Sequence, residues 1–167
     1  AVTIGKRLGA RVIATASSPE KLAIAREHGA DDLIESGAAD LRARIKELTG
    51  GRGADVVYDP IGGELFAASL RCIAFEGRIL VIGFAGGEIP SVKANYLLIK
   101  HISVCGLHWS DYREAFPEKM RDAQARIFGF WRTGRLDPPV TAVLPLEQAS
   151  TALQAIAARR VLGKLVL

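Results

Sequence analysis

The most informative polar stretch in the sequence is Ala14-Thr15-Ala16-Ser17-Ser18-Pro19-Glu20-Lys21. An apolar strand pattern ends there and a helical pattern begins, with Ser18 suited to the N-cap and Pro19 to the first helical position. In a dinucleotide-binding sheet the end of the second strand faces the adenosine ribose, and an Asp or Glu there holds the 2′-hydroxyl. This sequence has Ala16 in that place, then two hydroxyls, then Lys21 in the first turn of the helix. A carboxylate would repel a 2′-phosphate, whereas hydroxyls at a helix N-terminus and an ammonium would bind one. Ser17, Ser18 and Lys21 therefore form a candidate site for the 2′-phosphate of NADPH. The same residues also make an ordinary helix cap with a solvated lysine, and residue types alone leave both readings open.

Two glycine-bearing turns follow: Asp59-Pro60-Ile61-Gly62-Gly63 and Gly83-Phe84-Ala85-Gly86-Gly87. Each follows a run of Val and Ile that reads as a buried strand. Ligands of open α/β sheets bind outside the carboxyl ends of the strands, and glycine lets the backbone approach them closely. Two such turns on one sheet edge make a crevice, although each alone is also a plain strand-to-helix turn. Gly106-Leu107-His108-Trp109 ends a further strand. Its imidazole and indole could touch a nicotinamide ring, or Trp109 could serve packing alone. No carboxylate partner for His108 is evident that would make it a catalytic base; Asp111 is close in sequence, which by itself is weak evidence of a pairing. His28 and His101 read as incidental. No G-x-S-x-G and no P-loop lysine is present, so no catalytic nucleophile or catalytic residue is assigned.

Composition bounds these readings. The chain has 167 residues, 49% of them hydrophobic and 24% charged, which suits one globular domain or a large part of a two-domain protein. Twenty-two basic against 18 acidic residues give a formal charge of +4, scattered rather than blocked. That argues against a nucleic-acid partner. No apolar run approaches the ~20 residues of a membrane span. Cys72 and Cys105 have no metal-ligand spacing and no His at zinc-finger distance, so no metal is assigned. They read as two buried thiols of a cytoplasmic protein. No secretory signal opens the chain, and its only Met is Met120, so the gene is expected to begin upstream.

The elements that would position these residues alternate. Strand patterns cover 11–15, 55–59, 78–83 and 102–107, nearly continuously apolar as in a sheet covered on both faces, with 32–35 as a weaker candidate. Helical patterns cover 19–27, 40–48, 63–73 and 112–131, and Pro117 either kinks the last or starts it. Such alternation means a parallel sheet with right-handed crossovers. After the linker-like stretch 133–139 come a short strand at 140–144, a helix opened by Pro145, and a last strand at 164–167. Arg159-Arg160 reads as a solvated helix end. Residues 1–8 read as the back half of a helix stopped by Gly9, and the strand that should precede it is absent from the sequence.

Taken together, LGARVIATASSPEKLAIAREHGAD (8–31), GADVVYDPIGG (53–63), GRILVIGFAGG (77–87) and LPLEQASTALQAIAARRVLGKLVL (144–167) resemble the medium-chain dehydrogenase/reductase superfamily. Within it they resemble the zinc-independent NADPH:quinone oxidoreductases, over essentially the whole chain. The resemblance implies an α/β, doubly wound, Rossmann-like parallel sheet over 1–136, lacking its first strand and glycine-rich loop. It implies that 137–167 belongs to a GroES-like catalytic domain. It places Ser17, Ser18 and Lys21 at the 2′-phosphate of NADPH, Ile61-Gly62 and Gly83-Phe84-Ala85 along the ribose and nicotinamide, and His108-Trp109 near the nicotinamide end. The implied reaction is hydride transfer from NADPH to a small quinone, enone or other activated carbonyl. Enoyl reduction and a zinc-dependent alcohol dehydrogenase are alternatives, as is a non-catalytic nucleotide-binding or interaction module. The implied assembly is a homodimer through the edge strand near Ile102–Leu107. The missing first strand would lie between the strands near Arg11 and Asp55, so two sheet edges are expected to stand unpaired. The chain is accordingly expected to be a fragment, or the ordered part, of a longer protein.

Overall fold

The computed structural model describes residues 1–36, 40–158 and 160–167. In chain order the elements are α1 (Val2–Arg7), β1 (Ile13–Ala16), α2 (Pro19–Glu27), β2 (Asp32–Glu35), α3 (Leu41–Leu48), β3 (Ala54–Asp59), α4 (Gly63–Cys72) and β4 (Ile73–Val81). Then come α5 (Ala94–Lys100), β5 (Ser103–Gly106), α6 (Trp109–Ala115), α7 (Pro117–Arg132), β6 (Val140–Val143), a 3-10 turn (Leu146–Gln148), α8 (Ala149–Ala157) and β7 (Lys164–Val166). All strand pairs are parallel, so every connection is a crossover, as expected of an α/β doubly wound chain.

The expected gap is present. β1 pairs with β2, and β3-β4-β5 form a separate sheet; no backbone ladder joins β1 to β3. What joins them is side-chain packing. Ile34, Ile45 and Cys72 are buried together, with Ile13 of β1 and Ala54 of β3 packed against them. A second cluster holds the larger sheet to its helices: Phe66 and Leu70 of α4 meet Ile73 and Ile79 of β4 and Ile102. Phe66 and Ile79 are almost wholly buried, each contributing about 2–3 kcal/mol of apolar burial.

Several local expectations change. The strands are not covered on both faces: Val56 and Tyr58 on β3 are 60% and 52% exposed, and no described element shields that face. β4 starts at Ile73 rather than near Arg78, because Ala54 pairs with Ile73 ahead of a register shift. The helical pattern at 112–131 is two helices, α6 and α7, with Pro117 in the first turn of the second, where its missing N–H costs nothing. α5 carried no periodic signal, and Leu98 and Ile99 on it are exposed. Of the two thiols only Cys72 is buried, and burial pushes it up from its ordinary range; Cys105 is half-buried. Arg159 lies outside the described residues, and Arg160 is exposed.

Candidate functional site

β3 and β4 end in register, with Asp59 opposite Val81, and their pairing continues into the two glycine turns. Ile82 N–H donates to the Asp59 carbonyl (2.9 Å), Ala85 N–H to Pro60 (3.0 Å) and Gly86 N–H to Ile61 (2.9 Å), and in return Gly63 N–H donates to Glu88 (3.2 Å). The turns are thus one stitched unit rather than two loops. At Gly62 φ is +77°, and an added Cβ would stand 2.7 Å from the Glu88 carbonyl oxygen, so the position demands glycine on both counts.

Asp59 pins this unit from beneath. Its side chain is buried, and Oδ1 accepts the N–H groups of Ile61 (2.8 Å) and Gly62 (3.0 Å) at the start of α4. Those donors lie at the positive end of the helix dipole. Oδ2 is buried with no hydrogen-bond partner. Sequence reasoning singled out the turn but not this carboxylate. The available signal was an acidic residue two positions before the backbone N–H it receives, the spacing of an Asx turn.

Above the sheet edge lies a crevice of about 470 Å³, lined by the ends of β4 and β5 (Val81 to Phe84, Gly106 and Leu107) together with His108, Asp111 and Tyr112. The structure therefore brings Gly83, Phe84 and His108 to one space, with Ile61-Gly62 stitched to its side. Two of its lining residues are glycines with open space beside them: nothing lies within 4 Å of a Cβ built on Gly106, and only the Pro60 carbonyl, at 3.5 Å, is near one on Gly83. A flat ring can approach there, and a side chain at either glycine would take its room. Phe84 and Ile61 are partly exposed at the rim. Ala85 is exposed and held through its N–H. His108 does have a carboxylate partner, contrary to expectation: Nδ1 lies 2.9 Å from Asp111 Oδ1, across one turn at the start of α6. Trp109 is half-exposed and does not line the crevice.

The third group stands at the end of β1. Ser18 is the N-cap of α2: its Oγ accepts the N–H of Lys21 (3.4 Å). The same hydroxyl donates to Glu20, holding that carboxyl below its ordinary range. Ser18 is therefore committed locally. Ser17 is exposed, and Lys21 Nζ lies 3.4 Å from its Oγ. Lys21 also lines a concavity of about 410 Å³ with residues of α8 and β7. Among the described residues no cluster of three His, Cys, Asp or Glu side chains is placed to hold a metal.

Residues 1–126 match the family model described as zinc-binding dehydrogenase. The chain belongs to that family. Within the medium-chain dehydrogenase/reductase superfamily its relatives are quinone oxidoreductase-like. It is 39% identical to the quinone oxidoreductase-like protein 2 of Bos taurus, over 96% of this chain and 46% of that one. It is 34% identical to a quinone oxidoreductase of Pseudomonas aeruginosa, over 97% of this chain and 50% of that one. Its structure superposes on the Escherichia coli quinone oxidoreductase complexed with NADPH with a TM-score of 0.87 at 27% identity, covering 99% of this chain and 52% of that one. The chain thus spans about half the length of the curated relatives it matches, and the family's Rossmann-like architecture accounts for the parallel crossovers.

Proposed function

We propose that this chain is the cofactor-holding half of an NADPH-dependent oxidoreductase that passes hydride to a quinone or another activated carbonyl or enoyl acceptor. The observation that carries the reading is the stitched pair of turns, Ile61-Gly62 and Gly83-Phe84-Ala85, beside a crevice lined in part by two glycines with open space beside them. Such a lining fits a flat, polar ring read by backbone groups. In this reading the nicotinamide supplies the hydride, and the residues of this chain bind and orient it. Gly83 and Gly106 give it room, Phe84 and Ile61 flank it, and His108, tied to Asp111, borders the same space, with Trp109 the next residue along the chain. Lys21 and Ser17 hold the 2′-phosphate at the far end, and Ser18 shapes the helix start that presents them. Residues 1–136 form the NADPH-binding domain and 137–167 return to a catalytic domain. The open edge of β5 (103–106) pairs two copies. The experiment is a titration of the full chain with NADPH and NADH, followed by an assay for quinone-dependent NADPH oxidation. Tighter NADPH binding that Lys21→Ala removes, with NADH little changed, supports the reading. Equal effects on both cofactors overturn the role of Lys21.

A second reading, a nucleotide-binding or interaction module without turnover, is favoured by one observation: among the described residues no ladder joins the β1-β2 sheet to the β3-β4-β5 sheet. It is distinguished by cofactor or partner binding without oxidation of NADPH by any quinone.

A further inference from the structure

The concavity beside Lys21 is built from two ends of the chain. Its lining is Lys21 from α2, Ile156 from α8, and Val161, Gly163, Lys164 and Leu165 from the last crossover and strand. Two of these six residues are cationic and none is acidic. The neighbouring carboxylate on α2, Glu20, is taken up by the Ser18 hydroxyl. Lys164 is exposed at the start of β7, and none of its described side-chain contacts is an ion pair. Two lysines lining one cavity put two positive charges beside it, and a dianion bound between them would gain attraction from both. Ser18 cannot serve as a strong donor there while it caps α2 and binds Glu20, so Ser17 and Lys21 alone are a thin site for two negative charges.

We propose that Lys164 is the second cation of the 2′-phosphate subsite, lining this concavity with Lys21, and that the pair sets the preference for a 2′-phosphorylated nucleotide. The inference rests on the NADPH reading above and extends it to a residue 143 positions further along the chain. It also gives the 137–167 segment a direct part in cofactor choice.

The test is calorimetric binding of adenosine 2′,5′-bisphosphate and of 5′-AMP to the full chain and to Lys164→Gln and Lys164→Arg. These probes report on the adenosine end alone and need no turnover. Lys164→Gln is expected to weaken the bisphosphate about fivefold and leave 5′-AMP unchanged, a size suited to an exposed charge pair. Lys164→Arg is expected to restore the preference, and added salt is expected to narrow the gap between the wild-type chain and Lys164→Gln. Equal weakening of both nucleotides, or none, overturns the role of Lys164 while leaving the NADPH reading in place. If the wild-type chain prefers neither nucleotide, or binds neither, the NADPH reading falls and this inference falls with it.

Discussion

Gly86 donates its N–H to the Ile61 carbonyl at 2.9 Å, and a Cβ added to Gly86 would stand 2.9 Å from that same oxygen. The hydrogen bond and the steric limit act on one contact, so the two glycine turns are held at a separation that only glycine permits. Gly86→Ala is expected to push them apart and cost about 1–3 kcal/mol in urea unfolding. If the nicotinamide end binds as proposed, the same variant weakens NADPH and NADH alike. That pattern separates it from Lys21→Ala, which acts on NADPH selectively.

Asp59 gives a graded pair of variants. Asp59→Ala leaves the N–H groups of Ile61 and Gly62 without their acceptor and opens a small void, an expected loss of about 2–4 kcal/mol. Asp59→Asn keeps a carbonyl oxygen for both donors and is expected to recover more than half of that loss. Urea melts of the two variants decide it; equal losses would mean that the carboxylate's charge, rather than its acceptor geometry, holds the turn.

Phe66 is 1% exposed at the meeting of α4 with β4. Phe66→Ala is expected to destabilise by about 3–5 kcal/mol, read as a fall in the urea midpoint with an unchanged slope.

The pH dependence has a specific source. Asp31 accepts Nζ of Lys6 through both oxygens (2.7 and 2.8 Å) and the N–H of Val12 (2.6 Å). The Lys6 hydrogen bond, then the Val12 N–H, hold its carboxyl below the ordinary range. A depressed folded-state pKa means stability that is present above about pH 4 and is lost as pH falls through the folded value. Asp31→Asn should therefore lower stability above about pH 4, where the carboxylate is charged, and flatten the acid limb below it, where there is no longer a proton to take up. An unaltered acid limb would reassign that dependence to other carboxylates.

How much of this was legible in the sequence depends on the kind of signal. α2 reads to the residue because Ser18 and Pro19 form a local start signal and Gly29 a stop. β2 was the weakest strand pattern, yet its bounds agree, since Ile34 faces a core that needs an apolar residue there. α5 was invisible because it is short, has no cap signal, and sets only Leu97 against the core, too little to establish a period. At the site, the turns were legible from their glycines. Asp59 and Asp111 were not, because what distinguishes them is a partner in space: two backbone donors for one, an imidazole for the other. The concavity that joins Lys21 to Lys164 depends on where the last crossover lands, which no local pattern encodes.

The separation of the two sheets has a mechanical consequence. The adenosine end of the proposed site is carried by β1 and α2, and the nicotinamide end by β3, β4 and β5. In this chain the span between them is bridged by the contact of Ile13 and Ala54 with Ile34, Ile45 and Cys72 rather than by a hydrogen-bonded ladder. Side-chain contacts slide more easily than a ladder stretches, so if the cofactor binds as proposed these few residues set the distance it must span. On that reading, changing the volume at Ile45 or Cys72 is expected to alter the reach between the two ends without touching either.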